Sequence, residues 1–172
     1  MSHPLVELAR QTLEETIVHH HRFSAPAALV QEFSLPAPVF VTLRTAEGEL
    51  RGCIGSVVAT TDSLAAEVVA ESVAAATRDP RFTPVEPAEV PSLQIEISVL
   101  SPPEPVDSLA ALDPARYGVM VVRQRDGRRG LLLPAIEGVE TAEMQVKIAR
   151  RKAAIGEQEP VRLFRFCTKK YE

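Results

Sequence analysis

The chain has no tryptophan, only two cysteines and an aromatic content of 5% across 172 residues. Scarce aromatics leave few platforms on which bases can stack, which weighs against single-stranded nucleic-acid binding. Two cysteines, Cys53 and Cys167, cannot form a disulfide framework and suit a reducing compartment, so a cytoplasmic protein is expected. No run approaches the ~20 apolar residues that span a membrane, and the N-terminus has no signal-peptide layout. Neither G-x-x-x-x-G-K-[ST] nor G-x-G-x-x-G occurs, so the common nucleotide cradles are missing. Lysine is absent from residues 1–113, where six arginines face 16 acidic residues. Residues 114–172 reverse that balance, with 13 basic against seven acidic side chains. The two parts either complement each other within one fold or leave a basic face for an anionic partner. A net charge of −4 argues against non-specific nucleic-acid binding.

What remains is an ordinary globular composition, 45% hydrophobic and 24% charged. The length fits one domain, or a main domain with a smaller lobe, and allows a single sizeable core. Pro4 can occupy the first turn of a helix with Ser2 as a nearby cap. Residues 5–21 continue it as an amphipathic helix whose stripe is Leu5, Leu8, Thr12, Leu13, Thr16 and Ile17. His19, His20 and His21 follow near its end; adjacent imidazoles fan around a helix, so they suit its negative terminus better than a metal. Strands are expected at 39–45 and 49–58, joined at Glu47-Gly48. A helix at about 63–77 would be capped by Thr61 or Asp62, would face Leu64, Val68, Ser72 and Val73 inward, and would stop at Asp79-Pro80. Leu93–Val99 alternates as a strand, and Ser101–Pro105 is a stiff connector and a candidate lobe boundary. A second hairpin, 118–124 and 128–133, turns at Asp126-Gly127; a helix at 140–154 and a strand at 161–166 complete the order. No internal repeat is visible. Mixed helices and hairpins read as α+β, a mainly antiparallel sheet flanked by helices.

The chemistry concentrates in Arg51-Gly52-Cys53-Ile54-Gly55-Ser56, entered from Phe40-Val41-Thr42-Leu43. Alternation puts Arg51, Cys53 and Gly55 on one face of the strand and Leu50, Gly52 and Ile54 on the other. A thiol beside a guanidinium can favour thiolate, and glycine lets a ligand approach the backbone. Equally, an unpaired cysteine can be a small buried hydrophobe, and no base for a nucleophile stands within the motif. Gly52 to Gly55 also matches the G-x-x-G that clamps nucleic-acid backbones in KH domains, but its interior has no cation. The corner Arg78-Asp79-Pro80-Arg81-Phe82 offers either an internal ion pair or a guanidinium fork for a carboxylate or phosphate. Arg123, Arg125, Arg128 and Arg129 crowd the second hairpin, and Lys147, Arg150, Arg151 and Lys152 load the late helix, as solvated charge or as an anion-attracting surface.

These segments, with Ile95-Glu96-Ile97-Ser98-Val99-Leu100-Ser101-Pro102, resemble the AMMECR-type domain, the AmmeMemoRadiSam system protein A family. The resemblance spans nearly the whole chain, from Leu8-Ala9-Arg10 through Arg129-Gly130-Leu131-Leu132-Leu133-Pro134. It implies an α+β fold of two unequal lobes, with a cleft holding the Arg51–Gly55 strand and both chain ends in the larger lobe. It also implies association with a Memo-like protein and a radical S-adenosylmethionine protein, and it fixes no reaction. Family members carry a tryptophan after the Leu-Pro segment and a Lys-Ala-Gly further on. This chain has Gly138–Met144 and Lys152-Ala153-Ala154-Ile155-Gly156 instead, and nothing is carried over there.

The expected site is therefore Thr42, Arg51, Gly52, Gly55, Arg78, Asp79, Arg81 and Phe82 as ligand-facing residues, with Cys53 as the candidate nucleophile. No metal and no cofactor are expected. The first functional expectation is an accessory protein binding a small anionic molecule or a partner's peptide. The alternative is a cysteine-dependent transferase or hydrolase.

Overall fold

A computed structural model describes residues 2–172. The chain divides into two compact units, one formed by residues up to Val99 together with Lys169–Glu172, the other by Leu100–Thr168. Among the described residues, four α-helices and two four-stranded antiparallel sheets make the fold α+β, as the alternation and hairpin signals predict.

In the first unit, helix α1 (Pro4–Leu13) starts with proline in its first turn, and His3, not Ser2, accepts the Leu5 N–H as its cap. The helix does not run regularly to residue 21. It widens into a π-turn at Glu14–Val18, with Thr12 and Thr16 each donating a hydroxyl to the carbonyl four residues back, and ends at His19. Such back-bonding bends helices. His20 then takes a positive φ of 57° and the three histidines stand exposed. A short surface helix α2 (Ala27–Glu32), not expected from the sequence, buries no residue.

Strands β1 (Val39–Arg44) and β2 (Leu50–Gly55) form the expected hairpin, turning through Gly48 at a φ of 85°. Helix α3 (Leu64–Thr77) is capped by Ser63, whose hydroxyl accepts the Ala66 N–H, so neither Thr61 nor Asp62 is the cap. Strand β3 (Gln94–Leu100) pairs with β1, and β8 (Thr168–Tyr171), unforeseen in the sequence, completes the sheet in the order β2-β1-β3-β8. The core lies between this sheet and the helices. Leu5, Leu8 and Leu13 of α1, Val68 and Ala75 of α3, and Val41, Leu43 and Ile97 of the sheet are buried together. Of the expected inward residues of α3, Val68 and Ser72 are buried while Leu64 and Val73 are half-buried; alanines take the deeper places.

In the second unit, β5 (Gly118–Arg123) and β6 (Arg129–Leu132) form the second expected hairpin, with Gly127 at a φ of 74°. Helix α4 (Ala142–Lys152) and β7 (Val161–Phe166) follow. The stretch expected to be only a connector contributes β4 (Glu104–Val106), and the order is β6-β5-β7-β4.

The two orders are the same. Each unit is a hairpin, a helix and a third strand that pairs beside the first hairpin strand, with a fourth strand outside it. Each also has one glycine in its second strand where a Cβ would collide with a helix carbonyl. A Cβ on Gly52 would lie 2.2 Å from the Ala75 oxygen, and one on Gly130 would lie 2.1 Å from the Ala149 oxygen. The topological repeat is invisible in sequence because a fold needs only the apolar pattern and these close approaches, not shared residues.

Candidate functional site

The Arg51–Gly55 strand is the outer strand of its sheet, so one row of its backbone groups has no neighbouring strand. The corner after α3 supplies side chains there instead. The Asp79 carboxylate accepts the Cys53 N–H at 2.9 Å, and the Arg81 guanidinium donates to the Cys53 carbonyl at 3.4 Å. Asp79 also receives Arg81 at both carboxylate oxygens, 3.0 and 2.7 Å, and the Arg81 N–H at 3.1 Å. The two sequence signals are thus one built site: the corner imitates the missing strand. The Arg81 hydrogen bonds hold the Asp79 carboxyl well below its ordinary range, with the Cys53 amide adding to them against the effect of burial.

Arg51 sits where the pairing slips, Arg44 lying opposite Leu50 and Leu43 opposite Gly52, so it is the extra residue of a β-bulge. The bulge sends its side chain to Glu89, which it holds at 2.7 and 2.9 Å, and to the carbonyls of Thr83 at 2.9 Å and Pro84 at 3.3 Å. Hydrogen bonding to Glu89 raises the Arg51 pKa and lowers that of Glu89. The guanidinium expected to face a ligand is therefore engaged within the unit. The Phe82 ring lies near both cations, 6.0 Å from Arg51 Cζ and 5.5 Å from Arg81 Cζ.

Gly52 and Gly55 are the expected openings for a ligand, but the protein fills both spaces. Ala75 occupies the first, and the second is closed by the Phe40 ring, 2.4 Å from where a Cβ would stand. Arg78 is exposed at the C-terminal cap of α3, and among the described residues its guanidinium makes no hydrogen bond. Cys53 is half-buried, and its sulfur lies 3.3 Å from the Thr42 hydroxyl. Thr42 is paired with Cys53 on one side and Glu96 on the other. Glu96 accepts from Ser98 at 3.3 Å and pairs with Lys170 at 3.2 Å. A polar row thus crosses three strands, thiol, hydroxyl and carboxylate, and the Lys170 ammonium of β8 reaches its end. Glu96, the carboxylate a thiol would need as a base, stands two strands from Cys53, roughly 9–10 Å at the usual strand spacing.

Sequence reading missed a second polar group on the other side of β2. Glu67 is buried, and its carboxylate accepts from the Ser56 hydroxyl at 2.5 Å and from the amides and hydroxyls of Thr60 and Thr61. Burial pushes its pKa up, yet these hydrogen bonds outweigh it and the carboxyl ends below its ordinary range. Glu71, one turn on, is buried beside it with fewer donors; burial, then repulsion from Glu67, raises its pKa. Two glutamates four apart in an alanine-rich helix were the available signal, since that spacing puts both on one face.

Comparison with known proteins gives the family and the fold. A family model described as AMMECR1 matches residues 6–171. The chain belongs to the AMMECR1 family. A Thermotoga maritima relative is 43% identical over 172 residues, covering 99% of this chain and 98% of its own length. A Clostridium acetobutylicum relative, protein CA_C1420, is 36% identical over 171 residues and takes in 98% of this chain but 36% of that longer protein. Among solved structures, the uncharacterized protein PH0010 from Pyrococcus horikoshii superposes with a TM-score of 0.83 at 27% identity, covering 96% of this chain and 88% of that one. AMMECR1 membership thus fixes the α+β fold and names no reaction. Among the described residues, no helix is long and apolar enough to cross a membrane.

Proposed function

We propose that the protein is an accessory protein that binds an anionic group, on a small molecule or on a partner's peptide, at the Arg81 corner beside Cys53. It does so in company with a Memo-like protein and a radical S-adenosylmethionine protein. One observation carries this reading. Arg81 is fixed through Nε and Nη2 on Asp79, while Nη1 has no acceptor among the described residues and 55% of the side chain reaches solvent. A guanidinium already oriented loses little freedom on receiving a carboxylate or phosphate. Arg51 is a positioning residue that holds the strand through Glu89, and Asp79 aims Arg81. Among the described residues, the Cys53 sulfur has a hydrogen-bonding neighbour in the Thr42 hydroxyl and none in an imidazole or carboxylate, which favours shape and a weak sulfur contact over nucleophilic turnover.

Titration calorimetry with a panel of carboxylates and phosphates tests the ligand. Wild type and Cys53→Ser should bind alike, and Arg81→Ala should bind at least tenfold more weakly; equal affinity in Arg81→Ala ends the reading. Gel filtration of the three purified proteins tests the association, which absence of co-elution at tens of micromolar would remove. The half-exposed thiol favours the second reading, a cysteine-dependent transferase or hydrolase. It requires Cys53 to alkylate well below the ~8.5 of a free thiol, and ordinary alkylation behaviour would reject it.

A further inference from the structure

We infer that a second anion site, separate from the Arg81 corner, lies at the start of β3, where Arg10 and Arg44 converge on one cavity. The cavity has a volume of about 310 Å³ and is lined by Val6, Arg10, Arg44, Ile95, Glu96 and Glu172, among others. That is the size of a small organic ligand. Arg51, Arg81 and Lys170 pair with carboxylates, whereas among the described residues neither Arg10 nor Arg44 forms an ion pair. Each is tethered by one hydrogen bond, Arg10 Nη2 to the Leu93 carbonyl at 3.2 Å and Arg44 Nη1 to the Gly48 carbonyl at 3.3 Å. The remaining donors of both forks have no acceptor among the described residues.

Carboxylates are within the same lining, yet they leave these arginines alone. Glu96 is held by Lys170 at 3.2 Å and by Ser98 at 3.3 Å. Glu172 pairs with neither arginine. Two forks tethered at one donor and open at the others suit an oxyanion, since guanidinium geometry matches carboxylate and phosphate edges. Val6 and Ile95 add apolar wall, which suits a ligand with a short hydrocarbon part. The second unit has a cavity at the corresponding place, along β7 and β4, lined by Arg162, Leu163, Phe164 and Pro105. The hollow itself thus belongs to the fold, and the pair of open arginines belongs to the first unit.

The test is titration of the full chain, ¹⁵N-labelled, with inorganic phosphate and with butyrate in separate series, followed by amide shifts around residues 6–10, 44 and 94–96. Saturable shifts confined to those amides are expected with at least one of the two probes. Tighter phosphate binding points to a phosphoryl ligand, tighter butyrate binding to a carboxylate with a hydrocarbon tail. Arg44→Gln, at an exposed position, should weaken binding at least tenfold with the fold intact by circular dichroism; Arg10→Gln should do the same. Glu172→Gln should tighten it, and Arg81→Ala should leave it unchanged, which separates this site from the other. No saturable shift with either probe up to 50-fold excess, or unchanged binding in Arg44→Gln, overturns the inference.

Discussion

The two units have the same strand order and opposite uses for it. Aligning Gly52 with Gly130 sets Thr42–Cys53 against Met120–Leu131, and Glu96 against Phe164. Phe164 pairs with Pro105 of β4, and Glu96 holds the Lys170 ammonium of β8. The row that is thiol, hydroxyl and carboxylate in the first unit is Leu, Met and Phe in the second. Apolar residues satisfy the fold at those places, so the polar row is a burden that stability does not require. The same alignment sets Glu71 against Gln145, each four residues before the alanine that meets the glycine. Gln145 is fully buried and donates to the Tyr117 carbonyl at 2.8 Å. An amide in the second unit and a carboxylate in the first occupy equivalent slots. The difference is one of polarity at equivalent places, and the polar side chains are concentrated in the first unit.

Substitution at the shared glycines should break the comparison hardest. Gly52→Ala and Gly130→Ala each drive a Cβ into a carbonyl oxygen, and overpacking of this kind costs about 1–3 kcal/mol, or more where backbone must move. Urea unfolding should show comparable losses for the two, and a loss in only one would mean that the repeat is merely topological. Next in size, Glu67→Ala leaves the Ser56, Thr60 and Thr61 donors without their acceptor and should cost about 2–3 kcal/mol. Its stabilisation is present above the ordinary carboxylate range and is lost as acid titrates the folded carboxyl, because its folded pKa is the lower one. Wild type and Glu67→Ala should therefore converge toward low pH in thermal melts.

Glu71→Gln sharpens the contrast in the opposite direction. A carboxyl whose folded pKa is raised loses stability as pH climbs through the ordinary range. The variant, which copies Gln145, should melt higher than wild type at neutral pH and show no advantage at pH 3. A lower melting temperature at neutral pH would show that the carboxylate holds Ser56 in place. The smallest effect on stability is expected from replacing the polar pair by its apolar counterpart, Thr42→Met with Cys53→Leu. That double variant should stay within about 1–2 kcal/mol of wild type, the ordinary range for single substitutions, while losing ligand or partner binding at the Arg81 corner.

Both hairpins, α3, α4 and the alternation of β3 could be read from sequence because each follows from local chemistry: a glycine turn, an apolar period, a proline stop. Strands β4 and β8 could not, since Glu104–Val106 and Thr168–Tyr171 acquire strand geometry only from long-range partners. The site divides in the same way. Arg51, Cys53, Asp79, Arg81 and Phe82 were marked by their motifs, and the structure brings them together. What the motifs hid was direction. A bulge turned Arg51 toward Glu89, and the glycine spaces were filled by Ala75 and Phe40. Register slips and tight helix approaches leave no mark in residue spacing.

The exchange of fourth strands bears on how the chain can be made. The sheet containing Cys53 closes with Lys169–Tyr171, and the Tyr171 ring stacks on His3 at 3.8 Å. During synthesis the other half can assemble as soon as β7 emerges, but the half translated first must wait for Lys169–Tyr171, which follow the whole of the other half. Vectorial folding from the N-terminus is thus inverted here, and a nascent chain stalled before residue 168 should leave the older half open to protease while the younger half is already protected.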